Sequence, residues 1–137
     1  MRALSGYPER EIAICTVIAA MLAIGVSAHV VRDKYRRTTI AMAMTGGDPA
    51  RAPALFRRYG CGGCHAIDGI AGADGKVGGS LDGLRERVFI AGVLNNTPDK
   101  LKQWIVDPRR FSPRTAMPAT GISEAQARHL AAYLYAR

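Results

Sequence analysis

The feature that most restricts what this 137-residue chain can fold into is the sequence Cys-Gly-Gly-Cys-His at residues 61–65. The chain contains only three cysteines, and two of them lie here, three residues apart and directly before a histidine. Two thiols at this spacing followed at once by an imidazole suit only a few chemistries, and each chemistry needs a different surrounding structure. The rest of the sequence must therefore discriminate among them.

Three chemistries use a cysteine pair of this kind. A structural zinc site needs four ligands, and outside the motif the chain offers one more cysteine and two more histidines. A redox-active dithiol needs a βαβ setting, and no β-branched run surrounds this motif. Covalent haem attachment consumes both thiols in thioether bonds and uses the next imidazole to bind the iron. The histidine favours this third chemistry, so we expect one covalent haem c on Cys61 and Cys64, with His65 as the proximal ligand.

Glycine and proline are frequent in the chain, with 15 and 7 residues respectively. They predict long irregular stretches, and a small domain with so much loop has a thin hydrophobic core. A buried macrocycle would supply the missing apolar volume, in agreement with a haem. No disulfide is expected, because thioether bonds would consume two cysteines and leave Cys15 without a partner.

Residues 12–31 form a run of twenty residues without Asp, Glu, Lys or Arg. As a helix this run spans about 30 Å, the thickness of the hydrocarbon core of a bilayer. A cleaved signal peptide is the alternative, because Val26-Ser27-Ala28 resembles a small-residue cleavage site. The run is longer than a usual signal core, and the residues before it carry little positive charge. We therefore expect a short N-terminal segment, residues 1–11, followed by a retained transmembrane helix, residues 12–31.

The flanking charges and the haem motif conflict on the orientation of this helix. Four basic residues lie between positions 32 and 37, against two before the apolar run, which by the positive-inside rule favours a cytoplasmic C-terminal side. Covalent haem attachment takes place outside the bacterial cytoplasm, however. Because the motif follows the helix, we expect a single-pass protein of the bacterial inner membrane with its haem domain in the periplasm.

Residues 32–47 are interpreted as a basic linker that ends in a Gly-Gly hinge, and residues 48–137 as the haem domain. Three helices are predicted in this domain: residues 53–59, a helix from Thr97-Pro98 to Asp107-Pro108, and one from Ser123 to the C-terminus. In the last helix Ser123 and Gln126 form a capping box. The expected inner face of that helix comprises Ala127, Leu130, Ala131 and Leu134. No alternating strand pattern is evident, so the fold class is mainly α.

The residue on the second axial position of the iron decides function. A thioether ligand stabilises reduced iron and gives an electron carrier, whereas an open position gives a haem enzyme or a sensor. Met117 lies in an extended loop between Pro113 and Pro118, which favours a presented side chain, although a methionine that fills a packing gap is the alternative. We therefore expect Met117 to be the distal ligand. His129, on the last helix, is the alternative distal ligand, and it is interpreted as a surface residue.

The motif, the glycine-rich loop "GKVGGSLDGL", a Trp-bearing helix, "TAMP" and an aromatic C-terminal helix together resemble class I cytochrome c. The run "VFIAGVLNNTPDKLKQWIVDPRRFSPRTAMP" is more narrowly similar to the cytochrome c domain fused to subunit II of some haem–copper oxidases, here behind a membrane anchor. The resemblance implies a small fold wrapped round one haem, with Arg87 and Trp104 near the propionates. The family usually has Gly-Pro where this chain has Gly78-Gly79. The carbonyl that accepts from the proximal imidazole is then that of Gly79, and its hydrogen bond is expected to be looser.

The expected function is single-electron transfer without bond-making chemistry, so the protein is interpreted as a carrier and not an enzyme. The haem domain has 13 basic and 8 acidic residues, which favours docking to an acidic patch on a redox partner such as a terminal oxidase or a bc-type complex. Arg109, Arg110 and Arg114 crowd the Met117 loop. Nucleic-acid binding is disfavoured, because the basic residues follow no known motif. The alternatives are the cytochrome subunit of another membrane enzyme, such as a nitric oxide reductase, or a haem enzyme or sensor with an open distal site.

Overall fold

A computed structural model of the protein describes residues 9–137, and this part of the chain is mainly helical, as predicted. The α-helices are α1 (Glu9–Thr45), α2 (Ala52–Arg58), α3 (Pro98–Val106) and α4 (Glu124–Ala136). Single turns of 3-10 helix are formed by Pro49–Arg51, Cys61–Gly63, Leu84–Glu86 and Pro108–Arg110. One short hairpin pairs β1 (Phe89–Ile90) with β2 (Leu94–Asn95).

The apolar run lies within α1. Large apolar side chains such as Ile14, Leu22 and Ile24 are more than half exposed, so this stretch buries nothing in the described protein. In length and composition it is the one helix among residues 9–137 able to cross a membrane, although a signal sequence would pass the same test. Packing divides the chain into a unit that ends at Tyr35 and a second unit, Arg36–Arg137. Most of the expected N-terminal segment 1–11 lies outside the described residues.

The stretch 32–47, interpreted from the sequence as a linker with a hinge, is helical as far as Thr45. Ala41 and Thr45 are buried, and the Thr45 hydroxyl donates to the Ala41 carbonyl at 2.7 Å. Gly46 ends the helix with a φ of +67°, a conformation that glycine adopts without strain. A Cβ on Gly47 would collide with the Arg128 carbonyl. The glycine pair is therefore not the expected hinge: it lets the chain lie directly against the backbone of α4.

A neighbouring contact with α4 corrects the interpretation of His129 as a surface residue. This side chain is half-buried, and its Nδ1 accepts a hydrogen bond from the Asp48 N–H at 2.8 Å. His129 therefore fixes the beginning of the haem domain to α4. No local sequence pattern indicates this bond, because Asp48 and His129 are 81 residues apart.

The three helices predicted in the domain are confirmed within one or two residues, and two of them, α3 and α4, begin at local side-chain caps. The Thr97 hydroxyl accepts from the Lys100 N–H at the start of α3. At the start of α4, Ser123 and Gln126 form the complete capping box. Such caps satisfy backbone donors that a helix leaves without partners, so they specify where it begins.

Helix α4 is the centre of the domain and packs against both α2 and α3. Its predicted inner face is confirmed, and three further residues of the helix are also buried. The buried set is Ala127, Leu130, Ala131, Ala132, Tyr133, Leu134 and Tyr135. The Phe56 ring of α2 meets the Tyr133 ring edge-on, with centroids 5.5 Å apart. This helix also packs against the single turns Pro49–Arg51 and Leu84–Glu86, so it contacts segments that lie before and after the motif in the sequence.

The hairpin was not predicted. Its turn has positive φ at both central positions, 51° at Ala91 and 70° at Gly92, as in a type I′ turn, and the Val93 N–H donates to the Ile90 carbonyl at 2.9 Å. Asn-Gly or Asp-Gly is the usual sequence signal for such a turn, and alanine is strained at positive φ. Ala-Gly therefore carried no hairpin signal.

Ala91→Asn should stabilise the protein, because asparagine tolerates the left-handed conformation better than alanine. We expect a gain of about 0.5–1 kcal/mol in the free energy of unfolding, measured by denaturant titration. Ala71, which is exposed and has no positive φ, is the matched site. Ala71→Asn should give no gain, and an equal gain at both sites would contradict the turn argument.

Candidate functional site

The motif begins where α2 ends. Gly60 turns the chain with a φ of +68°, and Cys61–Gly63 follows as one turn of 3-10 helix. The N–H groups of Cys64 and His65 both donate to the Cys61 carbonyl, at 3.2 and 3.0 Å. This turn brings the two thiols and the imidazole into one short segment. Cys61 is half-buried and Cys64 exposed, and burial, the largest effect, raises the pKa of the Cys61 thiol.

The loop after the motif folds back onto it. The Gly75 N–H donates to the Gly62 carbonyl at 3.1 Å, and the Gly78 N–H donates to the Cys64 carbonyl at 2.8 Å. A side chain at Gly75 would collide with the backbone of Cys64. Gly62 and Gly75 therefore have a definite role, since they let two backbone segments approach within hydrogen-bonding distance.

The imidazole of His65 is oriented by this loop. Its Nδ1 lies 2.7 Å from the carbonyl oxygen of Gly79. A carbonyl can only accept, so Nδ1 carries the proton; in the neutral imidazole Nε2 then has the lone pair that binds a metal. The expected loosening of this bond is not seen, because 2.7 Å is a short N–H···O distance. Gly78 lies directly against the ring, where a Cβ would collide with it.

Gly78→Ala should therefore displace the His65 ring from its present position. We expect a loss of about 1–3 kcal/mol in stability, as for other overpacked sites, and a smaller fraction of His-ligated haem in the absorption spectrum. Gly63 has open space where its Cβ would lie, so Gly63→Ala is the matched control. Equal spectra for the two variants would contradict the contact.

Met117 lies in the irregular segment between α3 and α4, as predicted from its prolines. It is half-buried, packs against the core, and its N–H donates to the Thr115 hydroxyl at 3.3 Å. Met42 and Met44 lie instead on α1, where each is more than 40% exposed. The role of Met117 as the distal ligand stays a prediction.

The two residues expected near the propionates have different surroundings. Trp104 is buried in the core on α3. Arg87 is exposed, and its Nη2 donates to the carbonyls of Ser80 and Asp82, at 2.6 and 2.9 Å. Arg87 therefore holds the loop that follows Gly79, and its expected contact with a propionate stays a prediction.

Sequence reasoning missed the role of Asn96. Its Nδ2 donates to the carbonyls of Leu84 and Arg87, at 2.7 and 2.8 Å, while its Oδ1 accepts from the Tyr135 hydroxyl at 2.6 Å. Burial raises the pKa of Tyr135 to about 12, so this hydroxyl stays a donor at neutral pH. Asn96 thus joins α4 to the loop that carries Arg87. The one signal of this role in the sequence was the position of Asn96 directly before Thr97, the N-cap of α3.

The donor set fits a covalently attached haem. It comprises two thiols, an imidazole with a free Nε2 and a half-buried thioether, which are the groups that attach and ligate haem c. The segment between the motif and α3 also leaves four large apolar side chains about half exposed or more: Val77, Val88, Phe89 and Val93. Among residues 9–137, no three His, Cys, Asp or Glu side chains are grouped closely enough to hold a metal ion by themselves.

Comparison with known proteins agrees with this chemistry. The family described as Cytochrome c matches residues 49–136. Among curated proteins, the chain is similar to cytochrome c oxidase subunit 2 of Alkalihalophilus pseudofirmus, at 33% identity over 109 residues. The match covers 75% of this chain and 31% of that protein, so the chain spans about a third of the length of this relative. No solved structure gives a significant match.

Proposed function

Since the chain belongs to the cytochrome c family and so carries covalently bound haem c, we propose that it is a monohaem electron carrier. In this proposal it is anchored in the bacterial inner membrane, and its haem domain lies in the periplasm. We propose further that it delivers single electrons to, or within, a respiratory terminal oxidase. The observation that carries the proposal is the short hydrogen bond from His65 Nδ1 to the Gly79 carbonyl, which leaves Nε2 available to iron.

In this proposal Cys61 and Cys64 form the thioether bonds, His65 is the proximal ligand and Met117 the distal one. The haem supplies a one-electron couple at its iron, and the protein contributes the ligands and the burial that set the potential. The Gly79 carbonyl keeps the proton on Nδ1 and so fixes the direction of the ring. A thioether on the other side favours the reduced state.

The two propionates of a haem are anionic, so a basic side chain beside them offsets their charge. Arg87 is the residue we propose for this role, because its guanidinium is exposed and is already held to the loop after Gly79. Trp104 would close the apolar side from α3. Neither residue would take part in bond-making chemistry, since an electron carrier needs none.

The proposed anchor is residues 12–31 of α1. The support is the absence of charge from this run and the exposure of its apolar side chains along the described helix. Transfer of such a run into a bilayer is strongly favourable, whereas its exposure to water is not. The periplasmic side follows from the chemistry of haem attachment.

An acidic redox partner is proposed from the charge of the domain. Arg109 and Arg110 form the turn after α3, Arg114 follows, and all three side chains are exposed in the approach to Met117. Opposite charges on two proteins mainly accelerate their encounter, and salt screens this effect. The similarity to an oxidase subunit favours a terminal oxidase as the partner. A cytochrome subunit of another membrane enzyme, such as a nitric oxide reductase, is the alternative.

One fractionation experiment tests both halves of the proposal. We expect the haem absorbance of cells that express the protein to stay with membranes after salt and carbonate washing, because a transmembrane helix inserts almost irreversibly. In those membranes the haem should titrate as a single one-electron couple. Release of the haem protein by carbonate, with an N-terminus near His29, would contradict the anchor, and rapid carbon monoxide binding by the reduced protein would contradict the carrier.

A further inference from the structure

Two segments of the haem domain, residues 64–68 and 78–82, run side by side and are joined by hydrogen bonds along their length. The first bonds of this pair are those from the Gly78 N–H to the Cys64 carbonyl and from His65 Nδ1 to the Gly79 carbonyl. The Leu81 N–H then donates to the Ala66 carbonyl at 2.9 Å. The last is a side-chain bond, in which Asp82 Oδ1 accepts from the Asp68 N–H at 2.6 Å.

The carboxylate of Asp82 closes this pair of segments. Besides its bond to the Asp68 N–H, its Oδ2 accepts from the Ser80 hydroxyl at 2.9 Å, and the same hydroxyl accepts from the Asp82 N–H at 3.1 Å. Arg87 adds bonds to the carbonyls of Ser80 and Asp82. Every residue from Ser80 to Asp82 is thus held by at least one hydrogen bond, three positions or fewer from the carbonyl that orients His65.

The first segment is itself held by the central helix. The Tyr133 hydroxyl donates to the Asp68 carbonyl at 2.8 Å, and the Arg137 guanidinium pairs with the Asp68 carboxylate at 3.3 Å. These two bonds hold Asp68 against the C-terminal end of α4. A carboxylate bound to its N–H transmits that position to the second segment, and hydrogen bonds to an ionised acceptor are stronger than neutral ones.

Gly78 and Gly79 need such support. Neither has a side chain that could anchor it, a Cβ on Gly79 would meet nothing within 4 Å, and glycine is the residue with the most backbone freedom to lose. The carbonyl of Gly79 must nevertheless stay within 2.7 Å of His65 Nδ1. The Gly78 N–H is bonded to the Cys64 carbonyl on one side of it, and the residues that follow Gly79 hold the other side.

We infer that Asp82 is a positioning residue, which holds the Gly79 carbonyl against His65 by fixing the loop to the Asp68 N–H. The inference rests on the proposed role of His65 as an iron ligand. It predicts that the hydrogen bond at His65 Nδ1 becomes weaker when the Asp82 carboxylate is removed, although the hydrogen bonds of that carboxylate go to Asp68 and Ser80 and not to the imidazole.

The test is the rate at which the Nδ1 proton of His65 exchanges with solvent, measured by NMR in the reduced holoprotein, together with the midpoint potential. We expect exchange to be about ten-fold faster or more in Asp82→Ala, the change that follows the loss of a hydrogen bond to a charged acceptor. Asp82→Asn keeps one oxygen that can accept from the Asp68 N–H, so its exchange rate should lie close to that of the wild type.

The control for charge is Asp74→Ala, since Asp74 is an exposed carboxylate of the same loop. Its removal should alter the midpoint potential by a similar electrostatic amount but leave proton exchange unchanged. Equal exchange in Asp82→Ala and Asp74→Ala would overturn the inference, as would equal acceleration in Asp82→Ala and Asp82→Asn. If Asp82→Ala does not fold, Ser80→Ala takes its place, with exchange expected to rise several-fold. Unchanged exchange in Ser80→Ala would then overturn it.

The failure of the proposed ligand is distinguishable from the failure of this inference. An iron ligand lies under the haem plane, so the ring protons of His65 should be strongly shifted by the ring current in the wild-type spectrum. If the wild-type spectrum shows no such shift for these protons, the role of His65 as an iron ligand is contradicted before any variant is compared. A normal wild-type spectrum with no response to Asp82→Ala contradicts the positioning role alone.

Discussion

Replacing both Cys61 and Cys64 with alanine should remove all covalently bound haem from the protein. Each thioether bond needs one thiol, and the third cysteine, Cys15, lies in the apolar part of α1. Mass spectrometry of the denatured wild type should show the added mass of one haem, and the double variant the mass of the bare polypeptide. The effect is all or none, so it is the largest that we expect from any substitution.

The control for this experiment is Cys15→Ala, which should keep the full haem mass. The single variants Cys61→Ala and Cys64→Ala each retain one thiol and one possible thioether bond. A wild-type mass equal to that of the polypeptide, or the mass of a bound zinc ion, would contradict haem attachment. The domain should also lose stability without its haem, since a core built from one short and two medium helices buries little apolar surface of its own.

Replacing Met117 with alanine should lower the midpoint potential of the haem and open its distal side. Thioether sulfur stabilises ferrous iron, and the choice of axial ligand spans roughly 0.8 V across haem proteins, so the fall should be a substantial part of that range. The reduced variant should bind carbon monoxide, which the wild type should not. Met117→His should keep six-coordinate iron at a lower potential, because imidazole favours ferric iron more than thioether does.

Met42 and Met44 provide matched controls for Met117. Both are methionines of the same chain, both are exposed, and both lie on α1 rather than in the loop before α4. Their replacement by alanine should leave the spectrum and the potential unchanged. If Met117→Ala leaves the spectrum unchanged, or if the wild type binds carbon monoxide rapidly, Met117 only fills space and the haem enzyme or sensor becomes the better interpretation.

The helices of the domain were predictable because their signals are local. The hydroxyls of Thr97 and Ser123 each lie three residues from the N–H group that they satisfy, and the apolar spacing of α4 is visible in its own thirteen residues. The attachment motif is equally local, since five consecutive residues carry its chemistry. For such features the sequence and the structure contain the same information.

The hairpin and the end of α1 were not predictable for physical reasons. Ala91 takes a positive φ that its sequence disfavours, because the packing of the flanking strands outweighs a local cost of about 1–2 kcal/mol. Gly46-Gly47 has the composition of a flexible hinge. Its actual role depends on the backbone of Arg128, about eighty positions away, against which only a residue without a side chain can lie.

The sequence by itself determined that the chain carries a covalent haem, a charge-free run long enough for a bilayer, and a mainly helical domain. Each of these depends on residue types and spacings within a short stretch. Only the tertiary structure decided how closely His65 Nδ1 approaches the Gly79 carbonyl, because the two groups lie in segments 14 residues apart that the fold must bring together. We infer that the position of this carbonyl depends on Asp82, whose carboxylate accepts from the Asp68 N–H, while Tyr133 of α4 holds the Asp68 carbonyl.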